Sequence, residues 1–135
     1  MTLRDGPSAC RAASTDSGFA HAAGINGIGY AGAGAETTAV GLGVAGGVGA
    51  GEGAAGIPIA IGVGPDAQAL TSIDAAPDAD RVAVTVAMNG SRAQLDSTEP
   101  VACLGSAAFA WDSRNGDTCV ATPMGRWHGP SAMPR

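Results

Sequence analysis

Three cysteines are the side chains best suited to chemistry in this chain. Cys103 and Cys119 bracket the segment DSRNGD, a strong turn signal that would fold the flanking stretches back on each other. This spacing predicts a Cys103–Cys119 disulfide that closes a β-hairpin and stabilises the fold by about 3 kcal/mol in the chain-entropy model. Two buried free thiols are the alternative. Cys10 is then left as a free thiol or as half of a bridge between chains.

The titratable residues do not converge on a catalytic or metal site. The two histidines, His21 and His128, lie far apart in the chain, and neither stands at ligand spacing from a cysteine. Two acidic turns offer the oxygen ligands that Ca²⁺ takes, but neither matches a calcium-binding loop. These turns contain Asp74, Asp78 and Asp80 in one case and Asp112, Asn115 and Asp117 in the other. We therefore expect no catalytic residue, no metal and no enzyme activity.

Three segments match the G-x-G-x-x-G pattern of dinucleotide sites, at residues 27–32, 41–46 and 51–56. A dinucleotide site needs a long helix after the glycines and an acidic residue about 20 positions further on. The glycine-rich sequence that follows each match argues against a helix, because glycine costs a helix about 1 kcal/mol per residue. We interpret these glycines as positions of close backbone packing and expect no cofactor.

The charge distribution and the lengths of the apolar stretches exclude two classes of interaction, with nucleic acid and across a membrane. All seven basic residues are scattered arginines, and the sequence pI is about 4.6. Such a chain does not offer the basic patch that nucleic acid requires. Glycine interrupts every apolar stretch before it reaches the length of a transmembrane helix, so we expect no membrane span.

Small residues dominate the composition, with 29 Ala and 22 Gly among 135 residues. Large and small residues alternate at a period of two within 39–48 and 57–64, which predicts strands with one apolar face and one face nearly devoid of side chains. Gly-apolar-Gly recurs from Gly27, Gly41 and Gly62, at spacings of 14 and 21, which predicts a β-solenoid with a unit near seven residues. The residues expected to form the core or the subunit contact are Val40, Leu42, Val44, Ile57, Ile59 and Ile61.

The predicted fold class is therefore all-β, with a Gly/Ala-rich β-solenoid-like (β-roll) core and a disulfide-closed β-hairpin cap. A further hairpin is expected over residues 81–95, because Asn89-Gly90 favours a type I′ turn. The cap holds larger residues, and we place Trp111 in its core. The chain divides into an N-terminal arm (1–20), a solenoid-like repeat region (21–80), a hairpin and disulfide cap (81–122) and a flexible tail (123–135).

Two glycine-rich stretches, TTAVGLGVAGG (37–47) and IPIAIGVGPDAQAL (57–70), resemble the repeats of trimeric autotransporter adhesin heads. The shared frame is apolar-Ala-apolar-Gly, a turn and a further small-apolar strand, which Ile59, Ala60, Ile61 and Gly62, then Ala67 and Ala69, follow. The resemblance implies a left-handed parallel β-roll that trimerises at bacterial surfaces. The whole chain also resembles small exported actinobacterial proteins rich in Ala and Gly, a likeness that implies export.

We therefore predict an extracellular structural or adhesive module that self-associates into an oligomer or filament through small-residue β-faces. The alternative is a β-solenoid module that binds a small ligand, a surface or a cell-surface glycan. Regular threonine ladders would favour it, but Thr37 and Thr38 are the only adjacent pair. The first residues, MTLRDGPSAC, do not resemble a signal peptide, so the protein is either cytoplasmic or numbered from after a removed leader. Of these locations we favour secretion or the cell surface.

Overall fold

The described part of the chain consists of β-strands joined by tight turns. The structure is a computed structural model, and it describes residues 2–6, 8–15, 18–34, 37–53, 56–65, 67–73, 81–95, 101–113 and 116–129. The first eight strands are β1 (Thr2–Asp5), β2 (Ser8–Ser14), β3 (Phe19–Ile25), β4 (Ile28–Ala33), β5 (Thr38–Val44), β6 (Val48–Gly53), β7 (Ile57–Val63) and β8 (Gln68–Ile73). The last six are β9 (Val82–Met88), β10 (Arg92–Leu95), β11 (Ala102–Leu104), β12 (Ala108–Asp112), β13 (Thr118–Thr122) and β14 (Gly125–His128).

The strands form two stacked seven-stranded sheets. Sheet A has the order β1-β2-β4-β6-β8-β10-β11, and sheet B has the order β14-β13-β12-β9-β7-β5-β3. From β2 to β9 the chain alternates between the sheets, and each strand pairs in parallel with the strand one coil further on. The predicted β-solenoid is therefore confirmed, and it has four coils: β2–β3, β4–β5, β6–β7 and β8–β9.

The predicted unit of seven residues is wrong. Partner residues on successive coils of sheet A, such as Ala9, Ile28 and Val48, lie 19 and then 20 positions apart. One coil contains two strands and two corners, so its length is about three times the predicted unit. Gly27 precedes β4 in sheet A whereas Gly41 lies within β5 of sheet B, so their spacing of 14 does not relate equivalent positions.

The interior of the solenoid is lined by alanine, glycine and other small residues. Ala39, Ala60, Ala69 and Ala83 are fully buried, whereas the large aliphatic residues of β5 and β7 alternate with them and remain partly exposed. The sheets lie so close that a Cβ atom on Gly41 would overlap the carbonyl oxygen of Tyr30. The small residues thus face inward because nothing larger fits between the two backbones.

The disulfide and its neighbouring hairpin are as predicted, but the cysteines lie on different sheets. β12 and β13 pair antiparallel to form the hairpin. Cys103, on β11 of sheet A, reaches across the interior to Cys119 on β13 of sheet B, with 5.8 Å between their Cα atoms. The bond therefore joins the two sheets at the C-terminal end of the solenoid.

The hairpin predicted over 81–95 is wrong. Asn89 and Gly90 do adopt the positive φ values of a type I′ turn, 52° and 74°. However, β9 pairs with β7 and β12 in sheet B, and β10 pairs with β8 and β11 in sheet A. The turn is a corner of the solenoid, because both flanking strands are taken up by neighbours in different sheets.

Both ends of the chain contribute strands to the sheets. β2 lies in the first coil, so the solenoid begins within the predicted arm of residues 1–20. β14 pairs with β13 inside the predicted tail of 123–135, and residues 130–135 lie outside the described residues. β9 belongs to the last coil, although residues 81–122 were expected to form a separate cap.

Removing the disulfide is expected to loosen the C-terminal end of the solenoid. For the double variant Cys103→Ser/Cys119→Ser we expect the free energy of unfolding to fall by about 3 kcal/mol, because the bridge closes a loop of 16 residues. Urea titration followed by tryptophan fluorescence measures this. Cys10→Ser is the matched control and should leave the unfolding midpoint unchanged. Equal midpoints for the double variant and the native chain would contradict the prediction.

Candidate functional site

The outward face of sheet B is the most unusual surface in the described part of the protein. We call it the B face. Its residues are Phe19, His21, Ala23, Ile25, Thr38, Val40, Leu42, Val44, Ile57, Ile59, Ile61, Val63, Val82, Val84, Val86, Met88, Phe109, Trp111, Thr118, Val120, Thr122 and Trp127. None of them is Asp, Glu, Lys or Arg, and His21 is the one titratable member.

The B face follows from the strand register. Because side chains alternate between the two sides of a strand, residues paired across neighbouring strands form continuous rows. One row crosses all seven strands of sheet B and consists of Ala23, Leu42, Ile61, Val86, Phe109, Val120 and Trp127. These rows give a broad apolar surface, and a hollow in it is lined by Val86, Met88, Phe109 and Val120.

The B face is large for a surface left in water. Seven strands at a spacing of about 4.8 Å span roughly 29 Å, and their four to seven residues at about 3.3 Å span roughly 10 Å to 20 Å, which gives about 500 Å² in projection. Several of its large side chains are well exposed, among them Phe19 at 65% and Trp127 at 52%. Contiguous apolar patches of this extent mark interaction sites in soluble proteins.

The outward face of sheet A has a different character. It carries exposed Arg11, Glu52 and Arg92, and a shallow hollow near its centre is lined by Tyr30, Glu52, Leu70, Ser72 and Gln94. Charged and amide side chains keep this face compatible with water. The apolar surface of the solenoid is therefore concentrated on one side.

All six aliphatic residues singled out by the sequence lie together on the B face. They are Val40, Leu42, Val44, Ile57, Ile59 and Ile61, and each is partly exposed. They are therefore not part of the buried interior. The small-residue faces point inward at each other, so they are not available for association.

The other residues considered at the sequence level do not come together. Trp111 lies on the B face rather than in the core, because the interior has no room for an indole ring. His21 is on β3 and His128 on β14, at opposite edges of sheet B. Cys10 is unpaired and partly buried. Within the described ranges no three His, Cys, Asp or Glu side chains are grouped as metal ligands. Asp74, Asp78, Asp80 and Asn115 lie outside those ranges.

One buried ion pair was not anticipated from the sequence. The Arg81 side chain donates to Asp112, with 3.1 Å from Nε to Oδ1 and 2.6 Å from Nη2 to Oδ2. Arg81 precedes β9 and Asp112 ends β12, so the pair fixes the corner where the solenoid meets the cap. In the sequence, Arg81 follows an acidic turn and Asp112 lies in another, which gave no signal that they pair.

In the segments that the structure describes, no helix is long and apolar enough to cross a membrane. The Cys103–Cys119 disulfide is consistent with an oxidising compartment, where such bonds persist.

These features define a two-sheet β-solenoid with a small-residue interior, a disulfide-linked end and one uncharged apolar sheet face, an arrangement compatible with a β-roll. The chain belongs to a family of unknown function, DUF6764, whose profile matches residues 2–122. Searches of curated proteins and of solved structures found no match.

Proposed function

We propose that this protein is an extracellular, non-catalytic structural or adhesive module that self-associates by packing the B face of one copy against the B face of a second. The observation that carries this proposal is the uncharged apolar surface across all seven strands of sheet B. The resemblance of the sequence to adhesin-head repeats and to exported Ala/Gly-rich proteins agrees with an extracellular role.

The size and charge of the B face favour a second copy as the occupant. A stable interface buries about 800 Å² on each partner, and the B face is of this order. The chain has a formal net charge of −5, so two copies repel each other wherever their charged surfaces meet. The B face contributes no formal charge to this repulsion. Face-to-face packing of two sheets is the arrangement of β-sandwiches, in which side chains from both inner faces interdigitate.

The proposed assembly differs from the one expected from the sequence. Contact through small-residue faces is replaced by contact through large aliphatic side chains, because the small residues lie inside each copy. A two-fold arrangement of this kind closes on itself and yields a dimer. Trimers or filaments would need a second contact surface.

The variant Ile59→Asp tests the proposal. Ile59 lies on β7, an interior strand next to the central strand β9, so its replacement places a carboxylate well inside the contact, where burying it would cost several kcal/mol. We expect light scattering after size exclusion to show a dimer for the native chain and a 13.0 kDa monomer for the variant.

Leu70→Asp is the matched control, because Leu70 is also a partly exposed aliphatic residue, but on the outward side of sheet A. This control should keep the native mass. Circular dichroism must show that both variants remain folded. A folded Ile59→Asp variant with unchanged mass would refute the proposal.

The alternative function, binding of a small ligand or glycan, would use the sheet A hollow. Tyr30 offers an aromatic ring there, and Glu52 and Gln94 offer polar groups. Thr37 and Thr38 do not support a regular binding ladder, because Thr37 is buried and Thr38 faces outward. A native chain that stays monomeric and binds a glycan array would favour this alternative.

A further inference from the structure

The first strand of sheet B leaves one edge open. β3 is the last strand of sheet B, and within the described residues no strand pairs with its outer side. On its inner side, the Phe19 N–H donates to the Thr37 carbonyl at 2.8 Å, and the Ile25 carbonyl accepts from the Ala45 N–H at 2.8 Å. Because backbone groups alternate between the two sides of a strand, Ala20, Ala22 and Gly24 direct theirs to the open side.

Sheet A extends beyond this open edge. β3 packs against β2 and β4, whereas β1 continues sheet A one strand further. A strand added next to β3 would therefore lie opposite β1 and β2. We call this position, bounded by β3 on one side and by β1 and β2 on the other, the β3 slot.

The β3 slot is narrow and uncharged along β3. A Cβ atom on Gly24 would overlap the carbonyl oxygen of Ala9, and one on Gly29 would overlap the backbone of Ala23. If the two sheets keep this spacing beyond β3, an added strand carries Gly, Ala or another small residue at each inward position. On the outward side, the slot is flanked by Phe19 and Ile25, which are 65% and 61% exposed. Large apolar residues at the outward positions would pack against them.

A second folded copy does not fit the β3 slot. Two-fold pairing of β3 with another β3 would bring the overhanging parts of the two sheets A into the same space. Head-to-tail pairing with β14 is opposed by its inward positions, since Arg126 and His128 pair with the buried residues Ala121 and Cys119. Large polar residues on an edge strand are a common protection against such stacking.

We propose that the β3 slot binds one extended, uncharged peptide segment from another protein, with small residues alternating with large apolar ones. The segment adds an eighth strand to sheet B through backbone hydrogen bonds to Ala20, Ala22 and Gly24. Strand addition to an open sheet edge is an established mode of peptide recognition. This inference uses the edge of sheet B and does not depend on association through the B face.

The test uses a peptide that already has the required alternation. The sequence of β5, TAVGLGV, is synthesised with two added arginines for solubility and a fluorophore. We expect saturable binding to the full chain by fluorescence anisotropy. A permuted peptide of the same composition, in which the large residues are grouped so that neither register alternates small with large, should not bind. Equal binding of both peptides would overturn the proposal, because it would reflect unspecific adhesion to apolar surface.

A backbone variant separates the slot from the B face. Ala20→Pro removes an N–H from the open side while the β3–β5 hydrogen bonds remain. Proline is tolerated in this interior row, since Pro58 occupies it two strands away. We expect peptide affinity to fall about tenfold, the equivalent of one hydrogen bond. The matched control Ala20→Ser keeps the N–H and should bind like the native chain. Unchanged affinity in a folded Ala20→Pro variant would overturn the proposal.

Discussion

Gly41→Ala is expected to prevent the protein from folding, or to lower its free energy of unfolding by at least about 3 kcal/mol. A Cβ atom at this position would overlap the carbonyl oxygen of Tyr30 on the opposite sheet. The carbonyl oxygen and carbon of Tyr30 are backbone atoms held in place by the hydrogen bonds of sheet A. The overlap is therefore relieved only by separating the two sheets. Loss of the strand signal in circular dichroism, or an early urea midpoint, would show the effect.

Gly32→Ala is the matched control for this prediction. Gly32 is on β4 and faces outward, where an added Cβ would meet the hydroxyl of Tyr30 at 3.2 Å. A flexible side chain moves easily, and alanine reduces the entropy of the unfolded chain. We expect a change within about 1 kcal/mol for this variant. If Gly41→Ala were equally mild, the close approach of the two sheets would be wrong.

Asp112→Ala is expected to destabilise the protein by about 3–5 kcal/mol, because it leaves the Arg81 guanidinium buried without its carboxylate. Both residues are almost completely buried, at 5% and 3% exposure. The Arg81 carbonyl also accepts from the Ile57 N–H at 2.7 Å, so disorder at this corner would spread to β7. Chemical denaturation of the disulfide-intact protein measures the loss.

The double variant Arg81→Met/Asp112→Ala distinguishes the cost of an unpaired charge from the loss of packing. Removing both charges should recover part of the stability, giving a coupling energy of about 2 kcal/mol in the double-mutant cycle. Strictly additive losses would show that the ion pair contributes nothing beyond its volume.

The strands of the central coils were predictable from local sequence. In residues 57–63 the alternation of isoleucine with small residues leaves no other regular structure, and β7 spans this range. The turn at Asn89-Gly90 was also predictable, because these residues readily adopt positive φ. The pairing partners of the two flanking strands, β9 and β10, were not predictable. A type I′ turn fits a hairpin and, in this chain, also a corner of the solenoid.

The direction of the two faces could not be read from alternation. An alternation with a period of two indicates that Ile59 and Ala60 point to opposite sides of β7, but it does not indicate which side faces the interior. The general tendency of isoleucine to be buried gave the wrong orientation for the core. The composition did indicate which residues face the interior. An interior shared by two sheets must be filled by residue types that recur in the strands of both sheets, and in this chain these are Ala and Gly.

The sequence determined the all-β class, the solenoid and the Cys103–Cys119 pairing, because each depends on residue types at short spacing. Only the tertiary structure decided the coil length, the inward direction of the small residues and the Arg81–Asp112 pair. These depend on which strands meet across 19 or more positions. The distance between the two sheets decides the rest: it admits Ala and Gly, excludes Ile and Trp, and so forces the apolar B face outward.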